Sequence, residues 1–211
     1  MRSPSRPLLA ASWGLAAVLL LSEGCSRSER DADPSLGFNG VPASRRVIAY
    51  GQPIPKGGGI YKLGEPYQID GQWHSPREDP GYDRVGIASY YAADFHGRRT
   101  ANGEIFDMWA LSAAHPTLPL PSLVYVTNLE NGRTLLLRVN DRGPYVNERV
   151  IDVSLASARY LGFETRGTAR VRVRYAGRAP LTGDDRQEQR FLATRPWFRV
   201  ALSHAPARAD R

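Results

Sequence analysis

Cysteine, histidine and long apolar runs are scarce in this sequence, and each scarcity excludes a class of protein. Cys25 is the only cysteine among 211 residues, so the chain cannot form an internal disulfide bond. With no second cysteine and no two histidines at helical metal-ligand spacing, a structural zinc site is not expected. No Gly-x-Ser-x-Gly sequence is present, so nothing indicates a serine hydrolase with a nucleophile elbow. We expect the protein to use no metal and no cofactor.

The main apolar run lies at the N-terminus and has the length of a signal peptide rather than of a transmembrane helix. Arg2 and Arg6 precede residues 8–21, which are mostly apolar but too few to span a bilayer comfortably. We therefore predict a signal peptide over residues 1–24 and export of the rest of the chain.

Cys25 lies where such a segment is cut, directly after the small Gly24. We predict that Cys25 becomes the lipid-carrying first residue of a bacterial lipoprotein, with palmitate among its acyl chains. Ser26 after the cysteine favours the outer membrane over the inner one. Leu21 stands four residues before the cysteine instead of the usual three, which leaves an ordinary secretory signal with an incidental cysteine as the alternative.

The chain is basic, with a formal net charge of +7. In an exported protein this balance indicates anionic surroundings such as peptidoglycan or phospholipid headgroups. Nucleic acid would be the usual partner of so basic a chain, but the signal segment argues against it. We expect a location on the periplasmic side of the cell envelope.

Composition divides the exported part into four segments. Residues 25–59 are rich in proline and glycine and predict a flexible tether, and residues 60–85 predict an extended strap with aromatic side chains. Residues 86–176 carry the β patterns, and residues 177–211 form a basic C-terminal tail in which we expect no second domain.

The β patterns predict a compact, mainly β domain. Asn131-Gly132 is a strong hairpin signal between two apolar runs, and Ser154 and Gly162 have the residue types that begin and end a short helix. About six short strands and one or two short helices in roughly 90 residues are typical of a small β-barrel. The arginines that alternate along residues 170–174 are read as solvent-exposed, with glycan binding as the alternative. The clearest strands are expected at residues 87–91, 123–127, 134–139 and 170–175.

Three ionisable residues are candidates for acid–base chemistry, and each has a simpler explanation. Asp141 follows a predicted strand and precedes Arg-Gly-Pro, so it is either a catalytic acid or a turn residue that caps backbone amides. Glu104 follows Asn-Gly and is either a second catalytic carboxylate or a solvated turn residue. His115 lies between Ala114 and Pro116 and either shares a proton with a carboxylate or is a hydrogen-bonded core histidine.

The ordered motifs of this domain resemble the rare lipoprotein A family, septal-ring lytic transglycosylases built on a double-psi β-barrel. The strap also resembles the segment that precedes the barrel in many members. A sporulation-related repeat, common at the C-terminus of the family, has no room after Gly177. The matching blocks are residues 86–91, 95–104, 111–115, 118–119, 126–128, 139–144 and 149–154.

The resemblance implies a fold, an activity and a set of site residues. It implies a six-stranded double-psi barrel whose groove is lined by Asp141, Glu104 and His115. Asp141 would be the general acid, Glu104 an assisting carboxylate, and His115 a positioning group. We expect substrate contacts from Tyr90, which stands where the family usually has tryptophan, and from Tyr91, Thr100, Asn102 and Arg142.

Three functions follow from these features. The first is a lytic transglycosylase that cleaves the MurNAc–GlcNAc bond of peptidoglycan glycan strands and leaves 1,6-anhydroMurNAc ends. The second is a non-catalytic peptidoglycan-binding or divisome-associated lipoprotein on the same barrel. The third is a hydrolase in which Glu104 activates water, for which the carboxyl groups would lie roughly 6.5–9.5 Å apart. Expected partners are glycan strands and, for septal recruitment, division proteins.

Overall fold

A computed structural model of the chain describes residues 43–146 and 148–203, with side chains as far as residue 199. The predicted signal peptide, Cys25 and residues 25–42 of the predicted tether lie outside the described residues. Eight strands form, named here β1 (Tyr67–Ile69), β2 (Gln72–His74), β3 (Asp83–Tyr91), β4 (Ser112–Ala114), β5 (Ser122–Asn128), β6 (Thr134–Asp141), β7 (Arg149–Ser154) and β8 (Ala169–Arg178). Within the described residues three α-helices form: α1 (Leu155–Leu161) between β7 and β8, and α2 (Arg186–Ala193) and α3 (Pro196–Ser203) after β8.

Six of these strands close into a barrel in the order β3-β7-β4-β6-β5-β8. The pairs β3–β7 and β4–β6 are parallel, and the other four pairs around the barrel are antiparallel. The two short strands β1 and β2 form a separate hairpin within the strap. The predicted mainly β fold with a six-stranded double-psi barrel is confirmed.

Side chains alternate between the two faces of each strand, and those that point inward fill the barrel. On β6, Leu135, Leu137 and Val139 point into the main core, where they contact apolar residues of the other barrel strands. The intervening Leu136 belongs to a smaller cluster on the outside, completed by Tyr125 and Phe191. Because both faces of this part of β6 are covered, three consecutive positions, Leu135 to Leu137, are apolar.

The helix α1 begins and ends where the sequence predicts. The Oγ of Ser154 accepts a hydrogen bond from the backbone N–H of Ser157, and Gly162 ends the helix in the left-handed conformation. The Asn131-Gly132 turn likewise connects the antiparallel strands β5 and β6.

The described part of the predicted tether, residues 43–59, packs on the barrel. The backbone N–H of Val47 donates to the carbonyl of Gly97 (2.8 Å), and that of Ile60 donates to the carbonyl of Asn102 (2.9 Å). A Cβ at Gly97 would lie 2.1 Å from the carbonyl oxygen of Ile48, so this approach needs glycine. This stretch is therefore bound to the loops that connect β3 and β4.

The predicted basic tail contains two helices that cover the barrel. Leu192 of α2 joins the main core, and Phe191 packs on Tyr125 with ring centroids 5.3 Å apart. On α3, Trp197 and Phe198 pack against the core, and Phe198 meets the ring of Tyr160. Within the described residues, no helix has both the length and the apolar character needed to cross a membrane.

Candidate active site

A groove of about 630 Å³ runs across one end of the barrel. Residues from β3, β4, β6 and β7 form its floor, and the loops after β3 and β6 form its sides. The groove is lined by Ser89, Tyr90, Tyr91, Ala92, Asp94, Phe95, Ala114, Asp141, Arg142, Gly143, Pro144, Tyr145, Val146, Arg149, Asp152, Gly167 and Thr168.

Four residues form a row across adjacent strands on the floor of this groove. Ser89 is the Cα partner of Asp152, Asp152 is the partner of Ala114, and Ala114 is the partner of Asp141. Paired residues in a sheet point to the same face, and all four line the groove. Two carboxylates therefore flank one alanine. Since neighbouring strands lie about 4.8 Å apart, their Cα atoms are separated by about 10 Å.

Asp141 is held by backbone amides. Its Oδ1 accepts hydrogen bonds from the N–H groups of Ala101 and Arg142, both at 2.8 Å. Burial raises the pKa of Asp141 to about 6, although those hydrogen bonds and the charges of Arg142 and Lys62 oppose the rise. A carboxyl with such a pKa can donate a proton near neutral pH.

Asp152 is the second carboxyl group of the groove. It accepts a hydrogen bond from the Oγ of Ser89 (2.6 Å), and Nη1 of Arg149 lies 4.0 Å from the same oxygen, Oδ1. Its side chain remains about 20% exposed, so substrate could reach it. Burial raises the pKa of Asp152 as well, against the effects of Ser89 and Arg149.

Aromatic side chains stand beside the two carboxylates, as expected for Tyr90 and Tyr91. The ring centroids of Tyr91 and Phe106 lie 4.2 Å apart, and those of Tyr90 and Phe163 lie 6.4 Å apart. Burial raises the pKa of Tyr91 well above its usual value, and the negative charges of Asp141 and Asp152 add to that rise. The phenol of Tyr91 thus lies within the field of both groove carboxylates.

Arg142 lines the groove but uses its guanidinium to join loops. Nη1 donates to the carbonyl of Leu118 (2.6 Å) and to that of His115 (3.2 Å), and Nη2 donates to the carbonyl of Leu63 in the strap (2.6 Å). The predicted substrate contact is therefore better described as a brace, because this cation is already occupied by three carbonyl groups.

The strap makes a second contact with the same end of the groove. Tyr67 and His74 of the hairpin stack at 5.1 Å, and both meet the edge of Tyr145, which lines the groove. The hydroxyl of Tyr67 donates to the carbonyl of Pro116 (2.8 Å). The loop that follows Asp141 is thus packed against the hairpin.

Glu104 is not among the residues that line the groove, contrary to expectation. It is 5% exposed and ion-paired with Arg138, whose Nε and Nη2 donate to its two oxygens at 3.0 and 2.5 Å. Asn140 and Asn102 each donate a further hydrogen bond at 3.0 Å. Burial alone would raise the pKa of Glu104, but these hydrogen bonds outweigh it and lower the pKa.

Thr100 and Asn102 belong to this buried cluster rather than to the groove. The hydroxyl of Thr100 donates to Oδ1 of Asn102 (2.8 Å), and both side chains are buried. The cluster holds the loop that contains Ala101, and the N–H of Ala101 binds Asp141. Glu104 is therefore connected to Asp141 through the backbone of this loop.

His115 is also absent from the groove lining. It is 1% exposed, and its Nδ1 accepts hydrogen bonds from the N–H groups of Thr117 (3.1 Å) and Leu118 (3.0 Å). Burial, aided by the charge of Arg142, lowers the pKa of His115 to about 3, so the imidazole is neutral. These contacts order the loop that Arg142 also braces, while the buried Nε2 of His115 has no hydrogen-bond partner within the described residues.

Of the three predicted acid–base residues, only Asp141 reaches the groove, and sequence reasoning missed Asp152 and Ser89. Both belong to blocks that carry the family resemblance, residues 149–154 and 86–91. Membership of these blocks was the sequence signal that could have identified them. No group of three histidine, cysteine, aspartate or glutamate residues suited to a metal occurs within the described ranges.

Comparison with known protein families shows what this domain is similar to. A family model described as lytic transglycolase matches residues 83–173. A Pseudomonas aeruginosa protein named endolytic peptidoglycan transglycosylase RlpA is 47% identical over 177 residues, which cover 76% of this chain and 50% of that protein. A Neisseria meningitidis protein of the same name is 48% identical over 108 residues, covering 51% of this chain and 45% of the relative. The chain spans about half the length of the curated relatives it matches.

Among solved structures, Streptomyces papain inhibitor (SPI) aligns with a TM-score of 0.39 and 24% identity. The alignment covers 47% of this chain and 99% of that one.

The Glu104–Arg138 pair predicts strong coupling between two substitutions. Glu104→Gln or Arg138→Gln alone should lower the free energy of unfolding by about 3 kcal/mol, because each leaves a buried polar partner unpaired. The double variant should lose at least about 1 kcal/mol less than the sum of the two. Urea denaturation of all four proteins at pH 7 measures this coupling. Additive losses would contradict a direct buried pair.

Proposed function

The chain belongs to the rare lipoprotein A family of double-psi β-barrel proteins, and from that membership we propose that it is a peptidoglycan lytic transglycosylase. Its substrate would be the MurNAc–GlcNAc bond of glycan strands, and its product a 1,6-anhydroMurNAc end. The observation that carries the proposal is Asp141, a carboxyl with a raised pKa on the floor of an open groove.

The groove suits a polysaccharide chain in shape and in chemistry. It is long enough to be lined by four strands and two loops, and Tyr90 and Tyr91 provide aromatic surface beside the acid. Aromatic faces pack against sugar rings, and apolar walls keep a carboxyl protonated. We propose that Asp141 protonates the glycosidic oxygen as the C1–O bond breaks. The C6 hydroxyl of the same MurNAc then bonds to C1, and no water is consumed.

The surroundings of Glu104 argue against the hydrolase in which Glu104 activates water. A hydrolase of the form considered above needs Glu104 as a base beside a water molecule in the groove. Glu104 instead accepts hydrogen bonds from Arg138, Asn140 and Asn102 within a buried cluster, and its pKa is lowered. A carboxylate so fully paired is a poor base.

The second candidate function is glycan binding without cleavage. A binding protein would not need a carboxyl whose pKa is raised by burial, because that burial costs stability. Asp141 is held in this costly position by two backbone amides. The arrangement therefore supports the enzyme over the binding protein.

We propose further that the protein acts at the periplasmic face of the outer membrane, anchored by lipid on Cys25. The support is the apolar segment of residues 8–21, the position of Cys25 after it, and Ser26. The residues between Cys25 and the barrel would carry the groove towards the wall.

Product analysis tests the proposed reaction. Full-length protein in detergent, incubated with intact and amidase-treated peptidoglycan, should release fragments with 1,6-anhydroMurNAc ends, identified by mass spectrometry. Asp141→Asn keeps the shape of the side chain but cannot donate the proton, so the rate should fall at least about 100-fold. Circular dichroism checks that the variant is folded. Fragments with an added water would indicate a hydrolase, and sedimentation with the wall without release would indicate the binding protein.

The pKa of Asp141 predicts a falling activity at higher pH. The acid must be protonated in the free enzyme, so the rate at low substrate concentration should decrease as pH rises through about 6, by up to tenfold per unit above it. Lys62→Met removes a positive charge that lowers this pKa, so the decrease should move to higher pH. A profile that is flat between about pH 5 and 8, in a protein that remains folded, would exclude Asp141 as the acid.

Lipid attachment predicts a defined change when Cys25 is replaced. Wild-type protein expressed in a Gram-negative host with labelled palmitate should carry the label and fractionate with the outer membrane, whereas Cys25→Ser should carry none. Replacing Ser26 with Asp should leave the label and shift the protein towards the inner membrane. Release of an unlabelled wild-type protein into the soluble periplasm would indicate an ordinary secretory signal.

A further inference from the structure

A second carboxyl group lies in the same row of the groove floor as the proposed acid, two strands away, and none of the roles above uses it. Asp152 lies mid-way along β7, where its neighbours Ile151 and Val153 point into the core. Its own side chain points the other way and lines the groove with Asp141. We propose that Asp152 is the catalytic base that removes the proton from the attacking C6 hydroxyl. This inference rests on the proposed transglycosylase function.

The spacing of the two carboxyl groups suits a sugar ring between them. Ala114 is the Cα partner of both Asp141 and Asp152, so the two aspartates stand two strand spacings apart, about 10 Å between Cα atoms. Ala114 itself adds only a methyl group to the floor between them. Two strand spacings leave room for one sugar ring, so each carboxyl group can reach a different oxygen of it, Asp141 the glycosidic oxygen and Asp152 the C6 hydroxyl.

The contacts of Asp152 hold it in place without neutralising it. Ser89 donates a neutral hydrogen bond at 2.6 Å, and Arg149 reaches Oδ1 only at 4.0 Å. Glu104, by comparison, has a bidentate guanidinium partner at 2.5 and 3.0 Å. A base must be free to take a proton, and of these two carboxylates only Asp152 lies in the groove, with its ion-pair partner Arg149 as far as 4.0 Å away.

The step balances without a co-reactant. The proton of Asp141 goes to the glycosidic oxygen, and the C1–O4 bond breaks with its electron pair on O4. The C6 oxygen forms a bond to C1, and its proton goes to Asp152. Asp141 is then ionised and Asp152 protonated, and exchange with solvent restores the starting state. The raised pKa keeps Asp141 protonated closer to neutral pH and makes the Asp152 carboxylate a stronger base than an ordinary one.

Ser89 is inferred to be a positioning residue for this base. Its hydroxyl is buried and donates to Asp152 from the neighbouring strand β3. Removing the hydroxyl leaves the carboxylate but frees its orientation. Ser89→Ala should therefore lower the rate about tenfold, and Ser89→Thr, which keeps a hydroxyl, should restore most of it.

The test compares Asp152→Asn with a matched change outside the groove. Asp83→Asn alters the same functional group on β3, where Asp83 pairs with Arg172 on the barrel surface. On soluble glycan fragments, Asp152→Asn should lower kcat at least about 100-fold with KM changed less than about threefold, and Asp83→Asn should retain wild-type rates. Thermal unfolding and sedimentation with peptidoglycan confirm the fold and the binding of each variant.

Chemical rescue separates a catalytic base from a structural carboxylate. Asp152→Ala leaves space that sodium formate can occupy, so formate should raise its rate of anhydro-product formation at least tenfold. The same salt should not change the rate of Asp83→Asn. This comparison distinguishes the two roles even if Asp152→Asn is less stable than wild type, because formate would not restore activity that was lost through a purely structural defect.

Each outcome bears on one of the two proposals. If wild-type protein forms no anhydro product, the proposed function itself fails. If wild type is active and Asp152→Asn stays within threefold of Asp83→Asn, the function stands and the inference is overturned. A loss in Asp152→Asn without formate rescue of Asp152→Ala also overturns it. Loss with rescue supports Asp152 as the base.

Discussion

The pairing of one short strand, β4, determines the geometry of the whole site. Ser112–Ala114 pairs in parallel with β6 and antiparallel with β7, so one residue, Ala114, is in register with a carboxylate on each side. The separation of the Cα atoms of the two acids is thereby set by backbone pairing, including the register shift that pairs Ala114 with Asp141. The groove, the aromatic wall on β3 and the support of Asp141 all follow from closing the barrel in this order.

Burial acts on the carboxylates in opposite ways because their partners differ. Glu104 and Asp141 are both removed from solvent. Glu104 accepts hydrogen bonds from a guanidinium and two side-chain amides, whereas Asp141 accepts them from two backbone N–H groups. The first carboxylate is held ionised, and the second is held near its protonated form. The two meet at one loop, since Glu104 fixes the backbone that presents the N–H of Ala101.

Much of the fold was predictable from local patterns, and part of the site was not. The strands follow from alternation, α1 from the types of Ser154 and Gly162, and the position of Asp141 from the end of an apolar strand. The pairing of Glu104 with Arg138 spans 34 residues and has no local signal, so its ion pair was missed. Asp152 lies inside a strand, and only the non-sequential order of strands around the barrel brings it opposite Asp141.

The functional unit is larger than the segment that the family model matches. Residues 83–173 contain both groove carboxylates, yet the loop after Asp141 is braced from outside them. Arg142 donates to Leu63, the aromatic rings of the strap hairpin pack on Tyr145, and the N–H of Ile60 binds the loop that holds Glu104. On the other side, α2 covers the outer face of β5 and β6. The barrel strands carry the two groove aspartates, and the segments before and after the barrel hold the loops that surround them.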